Sequence, residues 1–104
     1  MIELRDREFI RFIGDYRVHD SVIEEVLEKP GSVTVILRSI DQELIKLIFD
    51  DVKEVKANKV KGMMLYSISE MSGDEAFRCF VFMNWDDASD ASFEIAAKDF
   101  RMID

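Results

Sequence analysis

The sequence has little of the chemistry that binds metals or cross-links a chain. Its 104 residues include a single cysteine, Cys79, and a single histidine, His19. One cysteine cannot form a disulfide within the chain, and a zinc site needs about four sulfur or nitrogen ligands. Neither a disulfide framework nor a zinc centre is expected, and the sequence predicts no metal and no cofactor.

Glycine is also scarce, and this bears on nucleotide binding. The four glycines stand far apart along the chain, at Gly14, Gly31, Gly62 and Gly73. Loops that cradle phosphate need several glycines close together, as in the G-x-G-x-x-G pattern, so that backbone amides can approach the ligand. Nucleotide binding of this kind has no support in the sequence.

Positive charge is in the minority. The chain has 14 Lys and Arg against 22 Asp and Glu, which gives a formal net charge of -8. Neutralising the phosphates of a nucleic acid requires a basic surplus, so no nucleic-acid partner is expected. The local exception is the segment 52–62, whose lysines are Lys53, Lys56, Lys59 and Lys61. We interpret them as solubilising residues or as protection of a sheet edge.

Long apolar runs are absent as well. Crossing a bilayer takes about 20 consecutive apolar residues, and no run approaches that length. The first residues, MIELRDREF, are charged where a secretory signal would be apolar. With 48% hydrophobic and 35% charged residues, the composition is that of a soluble folded domain. We predict one cytoplasmic domain spanning residues 1–104, with no membrane contact.

The clearest pattern that is present is apolar alternation with a period of two, which is typical of strands. Val33, Val35 and Leu37 share one parity, and similar runs occur in ELIKLIF, MMLYSISE and AFRCFVFMNW. The last run is apolar on both faces, which predicts a central strand covered twice. Short links such as Pro30-Gly31 favour antiparallel neighbours. The sequence therefore predicts a mainly β (α+β) fold: an antiparallel sheet of about six or seven strands, curled into a sandwich or partial barrel.

One helix is expected before the sheet. Apolar residues recur there at three- and four-residue spacing, and they are Phe9, Phe12, Ile13 and Tyr16. Arg7, Glu8 and Arg11 lie off that stripe, and Gly14 offers a place for the helix to end. We predict an N-terminal helix that packs on the sheet.

Residues 21–28 carry two conflicting signals. Val22, Ile23, Val26 and Leu27 form a helical stripe, and the S-x-x-E pattern at Ser21 fits a capping box. The turn at Pro30-Gly31 follows at once, however, so the same residues can be the first arm of a hairpin with a bulge near Glu24-Glu25. We favour the strand. A second bulge, between Ala97 and Phe100, would reconcile the two parities of the last apolar run.

The string His19-Asp20-Ser21 contains the residue types of a serine hydrolase triad. A triad needs its three side chains brought together in space, whereas neighbours on a strand point to opposite faces. We therefore assign no catalytic residue and predict a non-enzymatic protein. Asp20 or Ser21 is instead expected to cap the next element, with His19 holding the preceding turn. Cys79, in the most apolar run, is expected to be a buried packing residue.

The remaining acidic motifs do not match the patterns of catalytic or metal-binding sites. In the segment DDASDA, Ala88 and Ala91 stand where an EF-hand loop needs a ligand and a glycine, so calcium binding is not predicted. The pairs Glu24-Glu25 and Asp50-Asp51 are interpreted as surface charge.

A family resemblance covers the middle of the chain, from Val18 to Val55. The strings HDSVIEEV, VTVILR and LIKLIFDDVKEV resemble small uncharacterised bacterial β-rich domains, some of them grouped with immunity proteins that neutralise secreted toxins. The residues that carry the resemblance are His19, Asp20, Ser21, Ile23, Phe49 and Val52. The resemblance implies a mainly β domain and brings no catalytic assignment.

Charge and resemblance together lead to an expected function. An acidic domain without catalytic motifs suits a basic protein partner, which its field would attract. The predicted partner-binding residues are Glu24, Glu25, Asp50, Asp51, Asp86, Asp87 and Asp90. A homodimer is another partner that edge strands and apolar faces permit. The alternative is a small-ligand-binding domain or minor enzyme on the concave face of the sheet, lined by Phe80, Phe82 and Trp85.

Overall fold

The computed structural model describes residues 8–73, 76–86 and 88–103. The described residues form a one-turn 3-10 helix, Tyr16–Val18, and seven strands: β1 Phe9–Phe12, β2 Val22–Lys29, β3 Ser32–Arg38, β4 Leu44–Asn58, β5 Leu65–Met71, β6 Arg78–Asn84 and β7 Ser92–Ile103. All paired strands are antiparallel, and they make one sheet in the order β1-β5-β6-β7-β4-β3-β2. The prediction of a mainly β fold with an antiparallel sheet of about seven strands is confirmed.

The prediction of an N-terminal helix is wrong. Arg7 lies outside the described residues, and the rest of the predicted segment, up to Gly14, is not helical. Phe9–Phe12 is strand β1, paired with β5, and the amide of Ile13 continues the pairing by donating to the Ile68 carbonyl at 2.9 Å. A helix of two turns ending at Gly14 would have little stability of its own. Pairing with the edge of β5 gives the backbone N–H and C=O groups of this segment hydrogen-bond partners, and a short helix would leave many of them unpaired.

The sheet is single, so the predicted sandwich of two sheets is not formed, and it is not closed into a barrel. It curls enough for the start of β2 to reach the segment before β5. The Ile23 amide donates to the Met63 carbonyl at 3.0 Å, and the Leu65 amide donates to the Ser21 carbonyl at 2.8 Å. These bonds place residues 19–23 beside β5, although β2 and β5 are far apart in the sheet order.

Apolar side chains fill the concave side of this curled sheet. Phe49 packs on Phe80 with ring centroids 5.1 Å apart, and Phe82 packs on Phe93 at 4.4 Å. The alternating strand β3 supplies the same core through Val33, Val35 and Leu37, and further buried members are Ile23, Ile45, Leu47, Leu65, Ile68 and Ile95. Burial of alternate residues is therefore what defines the inner face.

The prediction that β6 is covered on both faces is wrong. Phe80 and Phe82 are buried, whereas Cys79 and Val81 on the other face are half-buried and Met83 is exposed. Among the described residues no second layer covers that face. The apolar residues there belong to the outer surface.

The strand interpretation of residues 21–28 is confirmed, and so is its bulge. Strand β2 pairs with β3 from Val22 to Lys29, and the register shifts between Ile23 and Glu25. The bulge predicted between Ala97 and Phe100 is misplaced, because the register shift of that strand pair lies on β4, between Val52 and Glu54.

Candidate functional site

The His19-Asp20-Ser21 string lies in the turn between the 3-10 helix and β2. Ser21 is fully buried, and its hydroxyl donates to the Val18 carbonyl at 2.6 Å. The 3-10 helix before this turn is capped by Asp15, whose carboxylate accepts from the Arg17 amide at 2.9 Å. The element after it is strand β2, which has no N-cap, and the Ser21 hydroxyl donates to a carbonyl where a cap would accept from an amide, so the predicted capping role of Asp20 or Ser21 is wrong. The buried proton of Ser21 is committed to a carbonyl, which does not suit a nucleophile.

Asp20 is held in an unusual backbone conformation. Its φ is 66°, in the left-handed region that Asp and Asn tolerate better than most residues. The Asp20 amide donates to the Leu65 carbonyl at 2.9 Å, which fixes the turn against β5. Its side chain remains partly exposed, and Oδ1 lies 3.7 Å from Nε2 of His19.

His19 also reaches across to β5. Its Nδ1 lies 2.9 Å from the carbonyl oxygen of Tyr66. A carbonyl oxygen can only accept, so Nδ1 carries the proton, and in the neutral imidazole Nε2 is then an acceptor. The predicted role of His19 as a holder of the preceding turn becomes a link between that turn and β5.

Three aromatic rings meet on the outer surface at this point. The His19 ring lies 5.3 Å from Tyr66 and 5.4 Å from Trp85, and Tyr66 meets Trp85 edge-on at 4.9 Å with planes at 90°. We call His19, Tyr66 and Trp85 the aromatic cluster. Its tilted and perpendicular contacts are the arrangements that aromatic quadrupoles favour, so the rings support one another.

The strands β5 and β6 present this cluster to solvent. Trp85 follows β6, and its amide donates to the Met64 carbonyl at 3.1 Å. A register shift between Leu65 and Ser67 lies where Tyr66 turns outward. Tyr66 is 48% and Trp85 43% exposed, and Met64 and Met83 beside them are exposed as well. Clustered exposed aromatic and methionine side chains are typical of interaction surfaces.

The cluster separates two open grooves. One groove, of about 330 Å³, has His19, Tyr66 and Ser67 in its lining, and the other, of about 340 Å³, has Met64 and Trp85. Within the described ranges, the buried Oγ of Ser67 has no hydrogen-bond partner. Because this oxygen is closed off from solvent, a molecule in the groove can bond to it only if the side chains that cover it move.

The acidic residues predicted to bind a partner do not form one patch. Glu24 and Glu25 lie on β2, whereas Asp50 and Asp51 lie on β4, on the other side of β3. Across the sheet, Asp50 is level with Lys29 of β2, because both pair with Ser32. Lys29 lies four residues beyond Glu25, so Asp50 and Glu25 are separated by about 13 Å along the strand direction. These acidic pairs therefore form separate patches.

Four of those acidic side chains already have partners in this chain. Glu24 pairs with Arg38, Glu25 with Lys61 at 3.7 Å, Asp50 with Arg101 at 3.5 Å and Asp90 with Lys59 at 2.9 Å. The Asp86 carboxylate accepts from the Ala88 amide at 3.0 Å, and Asp51 is exposed. Asp87 lies outside the described residues. Of the lysine-rich segment, Lys59 and Lys61 are engaged in these pairs, which weakens its basic character.

The aromatic residues predicted for a concave ligand site are divided between two places. Phe80 and Phe82 are buried in the core and fill the concave face, while Trp85 belongs to the aromatic cluster. Cys79 is half-buried, with Sγ 3.9 Å from a carboxylate oxygen of Glu94. It lies six residues before Trp85 on an extended strand, or about 20 Å, so Cys79 and His19 do not form a catalytic pair.

Outside the cluster, the structure contains a buried charge that the sequence did not reveal. Glu70 on β5 is 4% exposed and accepts from Nη2 and Nε of Arg78 at 2.9 and 3.2 Å, with Arg11 at 3.7 Å. The hydrogen bonds from Arg78 lower the pKa of Glu70 although burial opposes this, and they raise the pKa of Arg78. Arg17 lowers the pKa of Asp15 in the same way. Glu70 and Arg78 line neither groove, whereas Asp15 lines the same groove as His19 and Tyr66.

Among residues 8–73, 76–86 and 88–103, no group of three or more His, Cys, Asp and Glu side chains is arranged to hold a metal ion. No helix in the same ranges is long and apolar enough to cross a membrane.

Sequence reasoning missed Met64 and Tyr66 as surface residues. Both lie in the run MMLYSISE, where they alternate with the buried Leu65. The signal in the sequence was that the two faces of this strand cannot both be buried in a single sheet, so one apolar face had to be exposed. Comparison with protein-family models, with curated proteins and with solved structures gave no match.

Proposed function

We propose that this protein is a non-enzymatic protein-binding module and that the aromatic cluster is the centre of its contact surface. The observation that carries the proposal is the exposure of three mutually packed rings, His19, Tyr66 and Trp85, on the open face of a single sheet. Tryptophan and tyrosine are the residues most enriched among those that dominate binding energy. Met64 and Met83 extend the surface with adaptable apolar side chains.

The order of the cluster favours tight binding. Fixing a mobile side chain at an interface costs about 0.5–1.5 kcal/mol. His19 is already held by the Tyr66 carbonyl, and Tyr66 and Trp85 pack on each other and on His19. Much of that ordering is therefore complete before a partner arrives.

The charge of the chain supports a basic partner. The net charge of -8 creates a field that attracts basic proteins and raises their association rate. The acidic residues thus raise the rate at which a basic partner associates, while the aromatic cluster supplies the contacts that slow its dissociation. An immunity-type inhibitor of a basic toxin, acting in the cytoplasm, is the form of this function that agrees with the resemblance at His19-Asp20-Ser21.

A second candidate function is the binding of a small molecule in the groove that His19 and Tyr66 line. It is favoured by the groove itself, of about 330 Å³, and by the Ser67 hydroxyl behind its wall, which has no partner among the described residues. A ligand that displaces the side chains covering this hydroxyl would accept or donate one hydrogen bond there. Metabolites that bind should raise the melting temperature of the wild type and lose that effect with Ser67→Ala.

The test of the main proposal is a capture experiment with matched baits. Wild type, Trp85→Ala and Ile40→Ala are immobilised and exposed to host lysate at low and high salt. Ile40 is a suitable control because it is exposed, lies in the turn between β3 and β4, and lines neither of the two grooves. We expect a basic protein to be retained by wild type and Ile40→Ala and lost by Trp85→Ala. Equal retention by all three baits would refute the proposal.

A further inference from the structure

We propose that Nε2 of His19 and the carboxylate of Asp20 together receive the ammonium group of a lysine side chain from the partner, with its alkyl stem against Tyr66 and Trp85. The inference rests on the proposed function and names the chemistry of the group that the aromatic cluster binds.

Two hydrogen-bond acceptors face each other in this turn. Nδ1 of His19 uses its proton on the Tyr66 carbonyl, which leaves Nε2 of the neutral imidazole with a lone pair. Oδ1 of Asp20 lies 3.7 Å away and also accepts. Neither atom can donate to the other in this state. One nitrogen making two hydrogen bonds of about 2.9 Å can bridge acceptors at this separation, and an ammonium group has three N–H donors and the charge that the carboxylate requires.

The surrounding rings suit the rest of a lysine side chain. A cation over a tryptophan face is attracted by the ring quadrupole, and Trp is the best of the aromatic residues in this respect. The planes of Tyr66 and Trp85 stand at 90°, so they offer two walls to an alkyl chain. All three side chains of the cluster are about half exposed, which leaves them accessible to a partner.

The lysines of this chain that line the groove beside Trp85 are already paired. Lys59 binds Asp90 at 2.9 Å, and Lys61 lies 3.7 Å from Glu25. The metal alternative is weaker, because no third His, Cys, Asp or Glu joins His19 and Asp20 in a metal-binding group within the described part of the chain. A cation that donates hydrogen bonds therefore fits better than a metal ion.

The backbone prepares Asp20 for this role and also provides a clean variant. Asp20 has a φ of 66°, and its amide is bonded to the Leu65 carbonyl. Asparagine has the same shape and tolerates the left-handed region equally well. Asp20→Asn therefore removes the negative charge while leaving the turn intact.

The test uses the fluorescence of Trp85, the only tryptophan of the chain. The full chain is titrated with n-butylammonium chloride, with sodium chloride adjusted to keep ionic strength constant. We expect a saturable change in emission with a Kd on the order of 10 mM, typical for so small a ligand. Butan-1-ol, which lacks the charge, and tetramethylammonium, which cannot donate a hydrogen bond, should bind at least tenfold more weakly.

Two variants show whether n-butylammonium binds at His19 and Asp20. Asp20→Asn should weaken n-butylammonium at least tenfold with an unchanged melting temperature. His19→Asn, whose side-chain amide can still donate to the Tyr66 carbonyl but has no atom in place of Nε2, should weaken it as well. Equal binding of tetramethylammonium, or an unaffected Asp20→Asn, would overturn the inference.

The outcomes separate the inference from the function on which it rests. If n-butylammonium does not bind but the Trp85→Ala bait still loses its basic partner, the lysine site is wrong and the protein-binding function stands. If n-butylammonium binds as expected but neither Trp85→Ala nor Asp20→Asn changes what the bait retains, the cation site stands and the proposed function fails.

Discussion

Nδ1 of His19 lies 2.9 Å from the carbonyl oxygen of Tyr66, although the two residues are 47 positions apart. This hydrogen bond joins the turn before β2 to strand β5. It sets the proton position of the imidazole and brings the His19 ring against Tyr66 and Trp85. The aromatic cluster is therefore a product of the way the sheet curls.

Gly14 is expected to be intolerant of a side chain for two reasons. Its φ is +81°, and an added Cβ would lie 2.5 Å from Cγ2 of the buried Val18. Gly14→Ala should lower the free energy of unfolding by about 2–4 kcal/mol, from backbone strain and overpacking together. Gly31→Ala is the control, since Gly31 has a φ of +76° but open space around it, and should cost about 1–2 kcal/mol. Urea unfolding of both variants measures the difference. Equal losses of unfolding free energy would contradict a contribution from the contact between the added Cβ and Val18.

Glu70 is expected to stabilise the fold through its ion pair with Arg78. Glu70→Gln keeps the shape but removes the charge that accepts two hydrogen bonds, and Arg78 stays partly buried. We expect a loss of about 1–3 kcal/mol in urea unfolding. Glu54→Gln, at an exposed carboxylate 4.0 Å from Lys56, should change stability by less than about 0.5 kcal/mol. Similar effects of the two substitutions would refute the role of burial.

The same carboxylate should shape the acid limb of the stability curve. The folded-state pKa of Glu70 lies below its ordinary value because of Arg78, so the folded state binds its proton less readily than the unfolded state does. The stabilisation is therefore complete above the unfolded pKa, near 4, and is lost as pH falls through the folded pKa. The Glu70→Gln stability curve should be flatter than that of the wild type below about pH 4. Parallel acid limbs would contradict the assignment.

The inner and outer faces of the sheet should respond differently to loss of a ring. Phe80→Ala removes a fully buried side chain packed on Phe49 and should cost about 3–5 kcal/mol. Tyr66→Ala, on the half-exposed outer face, should cost less than half as much. Thermal and urea unfolding of both variants make the comparison. A loss at Tyr66 as large as that at Phe80 would mean that the cluster is mainly structural.

The sequence predicted the elements whose neighbours are local. The alternation of Val33, Val35 and Leu37 defined β3, and Pro30-Gly31 placed the hairpin that decided for a strand at residues 22–29. The N-terminal segment was misinterpreted because Phe9, Phe12 and Ile13 have helical spacing, while the interaction that determines their conformation is pairing with β5, more than 50 residues away.

The candidate site could not be predicted for the same physical reason. Its three rings come from a turn, from β5 and from the end of β6, and they meet only because the sheet curls and the register shifts near Tyr66. Period-two alternation identifies two faces of a strand but does not say which of two apolar faces will be covered. The acidic residues were visible in the sequence, but their pairing with Arg38, Lys59 and Lys61 was not.

The central claim, that the aromatic cluster is the binding surface, is tested most directly by the affinity of the captured partner for wild type and Trp85→Ala, measured side by side by calorimetry. A central contact residue contributes about 2 kcal/mol or more, which corresponds to a loss of about thirtyfold. We predict a loss of at least that size for Trp85→Ala with no loss for Ile40→Ala. Affinities within about twofold of each other for wild type and Trp85→Ala, a difference of only about 0.4 kcal/mol, would contradict the claim.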